Sequence, residues 1–259
     1  MKMDPVFVNQ GKDLVFTVLE TPTQTSLMRL RLDDGSQERL HPKASTAEFE
    51  AAFSSDDRYC AYVQSRGNLS LRLVIHDTRD DKESVFEPGG GFAGMRHPSI
   101  STTARRVVFS MPGSGGQQIF SSDLRGEDRK DLTQGDGLNF WPSFSPDGGT
   151  IAFGSSRDGD FDLYLMNADG SHVRRLTDAP GRDMRPAWSP DGRRIAFTSA
   201  RDGNPEIYVI DADGSGLLRI THDAEQDDFA CWHPDGRRLA MVSERSGKFD
   251  VYLVDAATE

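Results

Sequence analysis

The stretch WSPDGRRIAFTSARDGNPEIYVIDADGS, residues 188–215, decides the fold, because two further stretches of the chain are copies of it. Residues 144–171 read FSPDGGTIAFGSSRDGDFDLYLMNADGS and residues 232–259 read WHPDGRRLAMVSERSGKFDVYLVDAATE, so successive copies start at 144, 188 and 232, 44 residues apart. A period of this length is the mark of a repeat architecture. Carried backwards, the template finds weaker copies at Ile100 (ISTTARRVVF), Phe53 (FSSDDRYCAY) and Phe7 (FVNQGKDLVF), which makes six.

Side-chain alternation tests the weak copies, since strand residues two apart share a face and a slip of one residue exchanges the faces. In the six copies the template aligns Leu14/Phe16, Cys60/Tyr62, Val107/Phe109, Ile151/Phe153, Ile195/Phe197 and Leu239/Met241, all apolar. Between the members of each pair, on the opposite face, stand Val15, Ala61, Val108, Ala152, Ala196 and Ala240, all small. A strand that is bulky on one face, small on the other and apolar on both suits sheets stacked around a ring. The class is all-β, and the expected architecture is a six-bladed β-propeller spanning residues 1–259 as one domain, with repeats starting near 7, 53, 100, 144, 188 and 232.

Each blade reads as four strands. A strand ending in Trp or Phe leads through an Asp-Gly hairpin turn (Asp147-Gly148, Asp191-Gly192, Asp235-Gly236) to the IAF strand. The SxRDG loop then leads to the third strand, and an ADGS turn to an outer strand around Arg175-Leu176-Thr177 or Arg219-Ile220-Thr221. The sixth copy reaches Glu259 with no outer RLT segment, so a three-stranded or incomplete last blade is expected, the ring closing by side-chain packing and not by a strand shared between the termini. No segment sustains a 3.6-residue period, so no substantial helix is expected.

The string (W/F)SPDGxxIAF…SxRDGxxxIYxxxADGSxxxRLT, at 144–177 and 188–221, resembles the propeller repeat of the TolB family, and related repeats occur in the propellers of prolyl-oligopeptidase-type and tricorn peptidases. In TolB the propeller follows an N-terminal α/β domain and a signal peptide and serves as a protein-docking platform in the periplasm. The resemblance therefore implies a docking scaffold. The Gly-His and Trp-Asp signatures of WD repeats are absent from the sequence.

Composition narrows the function classes. The chain has 27% charged and 36% hydrophobic residues with 25 Gly and 13 Pro, a folded, turn-rich balance. Its formal net charge of −11 disfavours a nucleic-acid partner. Residues 1–20 carry Lys2, Asp4, Lys12 and Asp13 and hold no signal-peptide core, and no segment is apolar enough to insert in a membrane. As written the chain is expected to be soluble, monomeric and cytoplasmic, or periplasmic if a leader has been removed.

No catalytic set is apparent. A G-x-S-x-G elbow is missing, and Gly113-Ser114-Gly115 reads as a loop. The histidines His41, His76, His97, His172, His222 and His233 lack zinc-ligand spacing, and the Asp-Gly turns lack the spacing of a calcium loop. No metal and no cofactor are expected. Cys60 and Cys231 occupy core-like positions, and Arg157, Arg201 and Arg245, with Arg66 in a similar place, recur with the repeat and are expected to make one structural contact in each blade.

Function is sought where the copies disagree. Three residues before each repeat start stand Asp4, Glu50, His97, Trp141, Arg185 and Phe229, and five before it Lys2, Glu48, Met95, Asn139, Asp183 and Asp227. These positions are expected to ring the mouth of the central channel on the face of the SxRDG loops. The expected protein- or peptide-binding set is Glu50, His97, Phe140, Trp141, Arg185, Asp183, Asp227 and Phe229, used without catalysis. The alternatives are an enzyme or small-molecule or metal binder using Glu48, Glu50, His97, Asp183 and Asp227, of lyase or hydrolase type, or the propeller module of a larger peptidase-like protein.

Overall fold

The computed structural model describes residues 1–66, 70–88 and 94–256; the last three residues of the sixth copy lie outside them. The described residues form a six-bladed β-propeller. Its six antiparallel sheets follow in chain order, five of four strands and the last of three, and every sheet is a simple meander. The innermost strands are Lys2–Val8, Glu48–Phe53, Arg96–Ser101, Asn139–Phe144, Asp183–Trp188 and Asp227–Trp232. Among the described residues the one helical element is a 3-10 turn, Asn9–Gly11, inside the first hairpin.

The large and small faces read from the repeat pack as expected, each blade against the next. Ala152 of blade 4 lies in one buried cluster with Ile195 and Phe197 of blade 5. Val108 of blade 3 meets Ile151 and Phe153 of blade 4 in the same way, and Val15 of blade 1 meets Cys60 and Tyr62 of blade 2. Small residues let the sheets approach while the aromatic and branched residues of the neighbour fill the space between them, which is how stacked sheets reach interior packing density.

The ring closes by the same contact. Ala240 of blade 6 packs with Phe7, Leu14 and Phe16 of blade 1. Lys2 Nζ donates to Asp250 Oδ1 at 2.6 Å, and the His233 ring stands edge-on to Phe7 at 4.7 Å. Among the described residues no strand is exchanged between first and last blade, so closure rests on side chains.

The turn aspartates are structural. Asp147 Oδ1 accepts from Ser145 Oγ at 2.6 Å and from Gly149 N at 2.9 Å, and Gly148 sits at φ +72°. Asp169 and Asp213 accept from Ser171 N and Ser215 N, each at 2.9 Å. These are Asx turns, the geometry that favours Asp followed by Gly.

Candidate functional site

A channel of about 560 Å³ runs down the centre, lined by the six innermost strands. The residues three before each repeat start, Asp4, Glu50, His97, Trp141, Arg185 and Phe229, all line it. Their backbones share one unusual feature. Each is a non-glycine residue with positive φ, at 49°, 54°, 56°, 53°, 54° and 57° in that order.

The cause is a β-bulge repeated in every blade. In blade 5 the register runs Met184↔Thr198 and then Ala187↔Ala196, so Arg185 and Pro186 together oppose Phe197. Equivalent shifts fall between Phe140 and Ser143 in blade 4 and between Asp228 and Cys231 in blade 6. A bulge re-aims one side chain and interrupts the ladder. Pro5, Pro98, Pro142 and Pro186 follow the ring residue directly, where the missing ladder bond makes an absent N–H harmless. The left-handed conformation costs each L-residue about 1 kcal/mol, and strain of this kind gathers at functional sites.

The ring has two chemically distinct halves. Blades 1 to 3 contribute Asp4, Glu50 and His97. Buried Glu50 accepts from Arg96 Nε at 2.6 Å and from His97 N at 2.6 Å. Burial alone would raise its pKa, but the His97 and Arg96 charges and these hydrogen bonds bring it below the usual range. Burial and the Glu50 carboxylate push Asp4 the other way, up to about 8, against the pull of Arg185 and Arg96. Burial lowers His97 to about 4, against the pull of the Glu50 carboxylate.

Blades 4 to 6 contribute Trp141, Arg185 and Phe229. The Arg185 guanidinium lies 4.1 Å from the Phe229 ring centroid and 5.3 Å from that of Trp141, sandwiched as a cation–π pair on both sides. Arg185 Nη1 also meets Asp228 Oδ2 at 3.0 Å, and Thr198 Oγ1 donates to the other Asp228 oxygen at 2.7 Å. Phe140 does not line the channel itself. It supports the ring from the rim, 5.2 Å from Trp141, 5.9 Å from Phe161 and edge-on to His97 at 6.3 Å. Three nitrogens of the ring, His97 Nδ1, Trp141 Nε1 and Arg185 Nε, are buried without a hydrogen-bond partner among the described residues. Such groups are rare in folded proteins and ask for an explanation.

Asp183 and Asp227 are placed elsewhere. Both are buried and neither lines the channel. Arg201 Nη2 donates to Asp183 Oδ2 at 2.8 Å and Arg245 Nη2 to Asp227 Oδ2 at 2.8 Å, while the same arginines reach Ser199 and Ser243 through Nε. Arg157 repeats the clamp on Ser155 and Asn139. Each arginine also lies over the third-strand tyrosine, Tyr164, Tyr208 or Tyr252, at 4.8 to 4.9 Å. The expected repeated contact of Arg157, Arg201 and Arg245 is thus a clamp that ties three strands of a blade together. Arg66 departs from it. It pairs with Glu87 at 2.7 Å on the surface, and buried Glu48 is held instead by Gln64 at 3.0 Å and His41 at 2.7 Å.

The sequence reading did not single out Arg96, Asp228 or Phe161. Arg96 and Asp228 occupy the position just before the ring residue, as do Phe49, Phe140 and Met184, and the variety at that position was the available signal. Among the described residues no group of three His, Cys, Asp or Glu side chains is arranged to hold a metal, and no helix is long and apolar enough to cross a membrane.

Residues 93–259 match the family model described as the TolB beta propeller domain. A solved structure from Agrobacterium tumefaciens, assigned as a TolB, is 26% identical over 91% of this chain and 86% of its own, with a TM-score of 0.73. TolB from Acinetobacter baumannii is 19% identical over 97% of this chain and 65% of its own, TM-score 0.76, so this chain spans somewhat less than two thirds of that protein. Oligogalacturonate lyase from Vibrio parahaemolyticus shares the fold at 16% identity over 97% of this chain and 88% of its own, TM-score 0.63. No curated protein matches the chain.

Proposed function

The chain belongs to the TolB β-propeller domain family, and from that premise we propose that it is a non-enzymatic docking propeller whose channel mouth receives a segment of a protein or peptide partner. The observation that carries this reading is the ring of six left-handed, non-glycine residues, one at the same bulge of every blade, whose side chains differ from blade to blade. A backbone feature maintained six times at an energetic cost, carrying six different side chains, suits a surface whose identity is set by its partner.

The docking set is Glu50, His97, Phe140, Trp141, Arg185 and Phe229, joined by Asp4, Arg96 and Asp228. Trp141, Arg185 and Phe229 supply the flat aromatic and guanidinium anchors that dominate binding energy in interfaces. The unpartnered nitrogens of His97, Trp141 and Arg185 supply donors and acceptors for a partner's carbonyls or side chains. Asp183 and Asp227 are left out of the set, because their carboxylates are committed to the arginine clamps.

The test is selection of peptides from a random display library on the immobilised chain, followed by rebinding to Trp141→Ala and Arg185→Ala. The expected result is at least about a tenfold loss of affinity with each, at an unchanged unfolding midpoint, since hot-spot truncations typically cost 2 kcal/mol or more. Selected peptides that bind the variants as well as the parent chain would refute the reading.

Catalysis in the channel is favoured by one observation: Asp4 and Glu50 are adjacent carboxylates whose environments drive their protonation in opposite directions. The oligogalacturonate lyase likeness is of the fold, at an identity too low to carry an activity across.

A further inference from the structure

The junction of blades 4 and 5 and the junction of blades 5 and 6 are built on one plan, and the second is filled where the first is open. At the filled junction Arg194, the first residue of the second strand of blade 5, crosses to blade 6. Its guanidinium lies 4.7 Å from the Trp232 ring centroid and donates to the Gly236 and Ala256 carbonyls at 3.1 and 3.4 Å. A planar cation on an aromatic face with carbonyls at its edge is a favourable seat for arginine. Trp232 is buried beneath it, at 7% exposure.

At the junction of blades 4 and 5 the receiving groups are present without the cation. Trp188 holds the pose of Trp232: its indole N–H donates to the Ser143 carbonyl at 3.1 Å, as that of Trp232 does to the Ala187 carbonyl at 3.0 Å. Gly192 and Ala212 stand 44 residues before Gly236 and Ala256, and Thr150 stands 44 before Arg194. The short threonine side chain cannot cross, and a cleft of about 490 Å³ is left, lined by Thr150, Trp188, Gly192 and Ala212. Trp188 stays partly exposed there, and among the described residues no donor reaches the Gly192 carbonyl. Arg174, from the outer strand of blade 4, takes the Ala212 carbonyl at 2.6 Å, and His172 Nδ1 accepts from Asn167 Nδ2 at 2.9 Å. Asp147 and Asp191 also line the cleft. Hydrogen bonds from Ser145 and Ser189 hold their carboxyls below the usual range, and these bonds use Oδ1 and leave Oδ2 open. Two carboxylates thus face one guanidinium, and the cleft is short of positive charge.

We propose that this cleft is a second docking site, which binds the guanidinium of an arginine side chain presented by a partner polypeptide, seated on the Trp188 face as Arg194 is seated on that of Trp232. Its N–H groups would donate to the Gly192 carbonyl, with the Asp147 and Asp191 carboxylates as counter-charges. The molecule supplies the template for the occupant, since the same receptor one repeat further on is filled by a guanidinium. A guanidinium can stack its face and donate from its edge at once, which an ammonium cannot. Successive turns of a meander alternate between its two ends, so this cleft, beside the Asp-Gly turns, lies at the opposite end of the blades from the SxRDG loops. The site is independent of the channel mouth.

The test titrates N-acetyl-arginine amide into the full chain and follows the indole N–H resonance of Trp188, assigned by its loss in Trp188→Phe. A saturable shift with a Kd of about 1 mM is expected for a ligand of this size. N-acetyl-lysine amide should bind at least about tenfold more weakly, because it lacks the planar fork. Thr150→Arg supplies the missing side chain from within and should weaken the arginine probe at least about tenfold, by the competition that Arg194 would offer at the next junction. No saturation up to about 50 mM, an equal response to the lysine probe, or undiminished binding to folded Thr150→Arg would overturn the proposal. If Thr150→Arg does not fold, the contrast between the two probes on the parent chain decides alone. Free arginine binding at least about tenfold more tightly than the capped residue would also overturn it, since a small molecule with its own ammonium and carboxylate would then be the occupant.

Discussion

Asp183 and Arg185 stand two residues apart on one strand, the first held by Arg201, the second turned into the channel. Strict alternation would send both to the same face. The bulge at Arg185-Pro186 separates them, and the same device separates Asn139 from Trp141 and Asp227 from Phe229. In blades 4, 5 and 6 each innermost strand thus carries one residue that holds the blade together and one that the fold leaves free to vary. Structure constrains the first to a partner for the clamp arginine, while the second has only to tolerate a left-handed backbone.

The clamp offers the largest effect. Arg201→Ala would leave the buried Asp183 carboxylate without its cation and would also remove the arginine from the Tyr208 face. Stranding a buried charge costs roughly 3 to 5 kcal/mol. Arg157→Ala makes the same cut against neutral Asn139, whose bond to Arg157 is 3.3 Å, and should cost only about 1 kcal/mol. Urea unfolding of the two variants measures the difference directly. Equal losses would mean that the arginine acts through its ring contact and not through the carboxylate.

On the channel side the sign reverses, because Asp4 is a strained partner and not a needed one. Its pKa is raised in the folded chain to about 8 from an ordinary value near 3.8, chiefly by burial. Between those values the unfolded state is ionised and the folded state is not, so this residue's contribution to stability is full below pH 4, falls as pH rises and levels off above about 8. Asp4→Asn should therefore flatten that fall and raise stability at pH 9 by about 1 to 3 kcal/mol, with little change at pH 4. Unfolding midpoints of both proteins at pH 4, 7 and 9 check it. A variant less stable at pH 9 would show that the carboxylate is held by Arg185 and Arg96 more firmly than burial opposes it.

Much of this was legible in the sequence, for a reason that particular residues show. Ala152 between Ile151 and Phe153 states both faces of a strand at once, and the repetition of that triplet gives the ring its number of blades. The ring positions were legible as the places where repeats disagree. What alternation could not reveal is the bulge, since Asp183 and Arg185 sit at the same parity and both are charged. Only the pairing partners of Arg185 and Pro186 distinguish a buried clamp from a channel lining. Arg66 was misplaced for a related reason: it matches Arg157 by position, but blade 2 meets its buried Glu48 with Gln64 and His41. Phe161 contributes to the site from the third strand's approach, outside any offset counted from the repeat start.

The smallest effect sharpens the comparison most, because it asks what a ring residue is worth to the fold alone. Phe229 sits at φ +57°, and replacing it with glycine relieves a left-handed conformation worth about 1 kcal/mol. The same change removes the face against which Arg185 lies at 4.1 Å, a contact worth about 0.5 to 1 kcal/mol at a partly exposed site, and it adds freedom to the unfolded chain at a similar cost. The terms oppose one another, so Phe229→Gly should alter the unfolding free energy by less than about 1 kcal/mol, far below the loss expected for Arg201→Ala. If Phe229→Gly instead unfolds the chain as severely as a clamp variant, the ring is part of the scaffold, and a variable, partner-facing channel loses its physical basis. If stability holds while selected peptides no longer bind, the two positions on the innermost strands of blades 4, 5 and 6 are divided between fold and recognition.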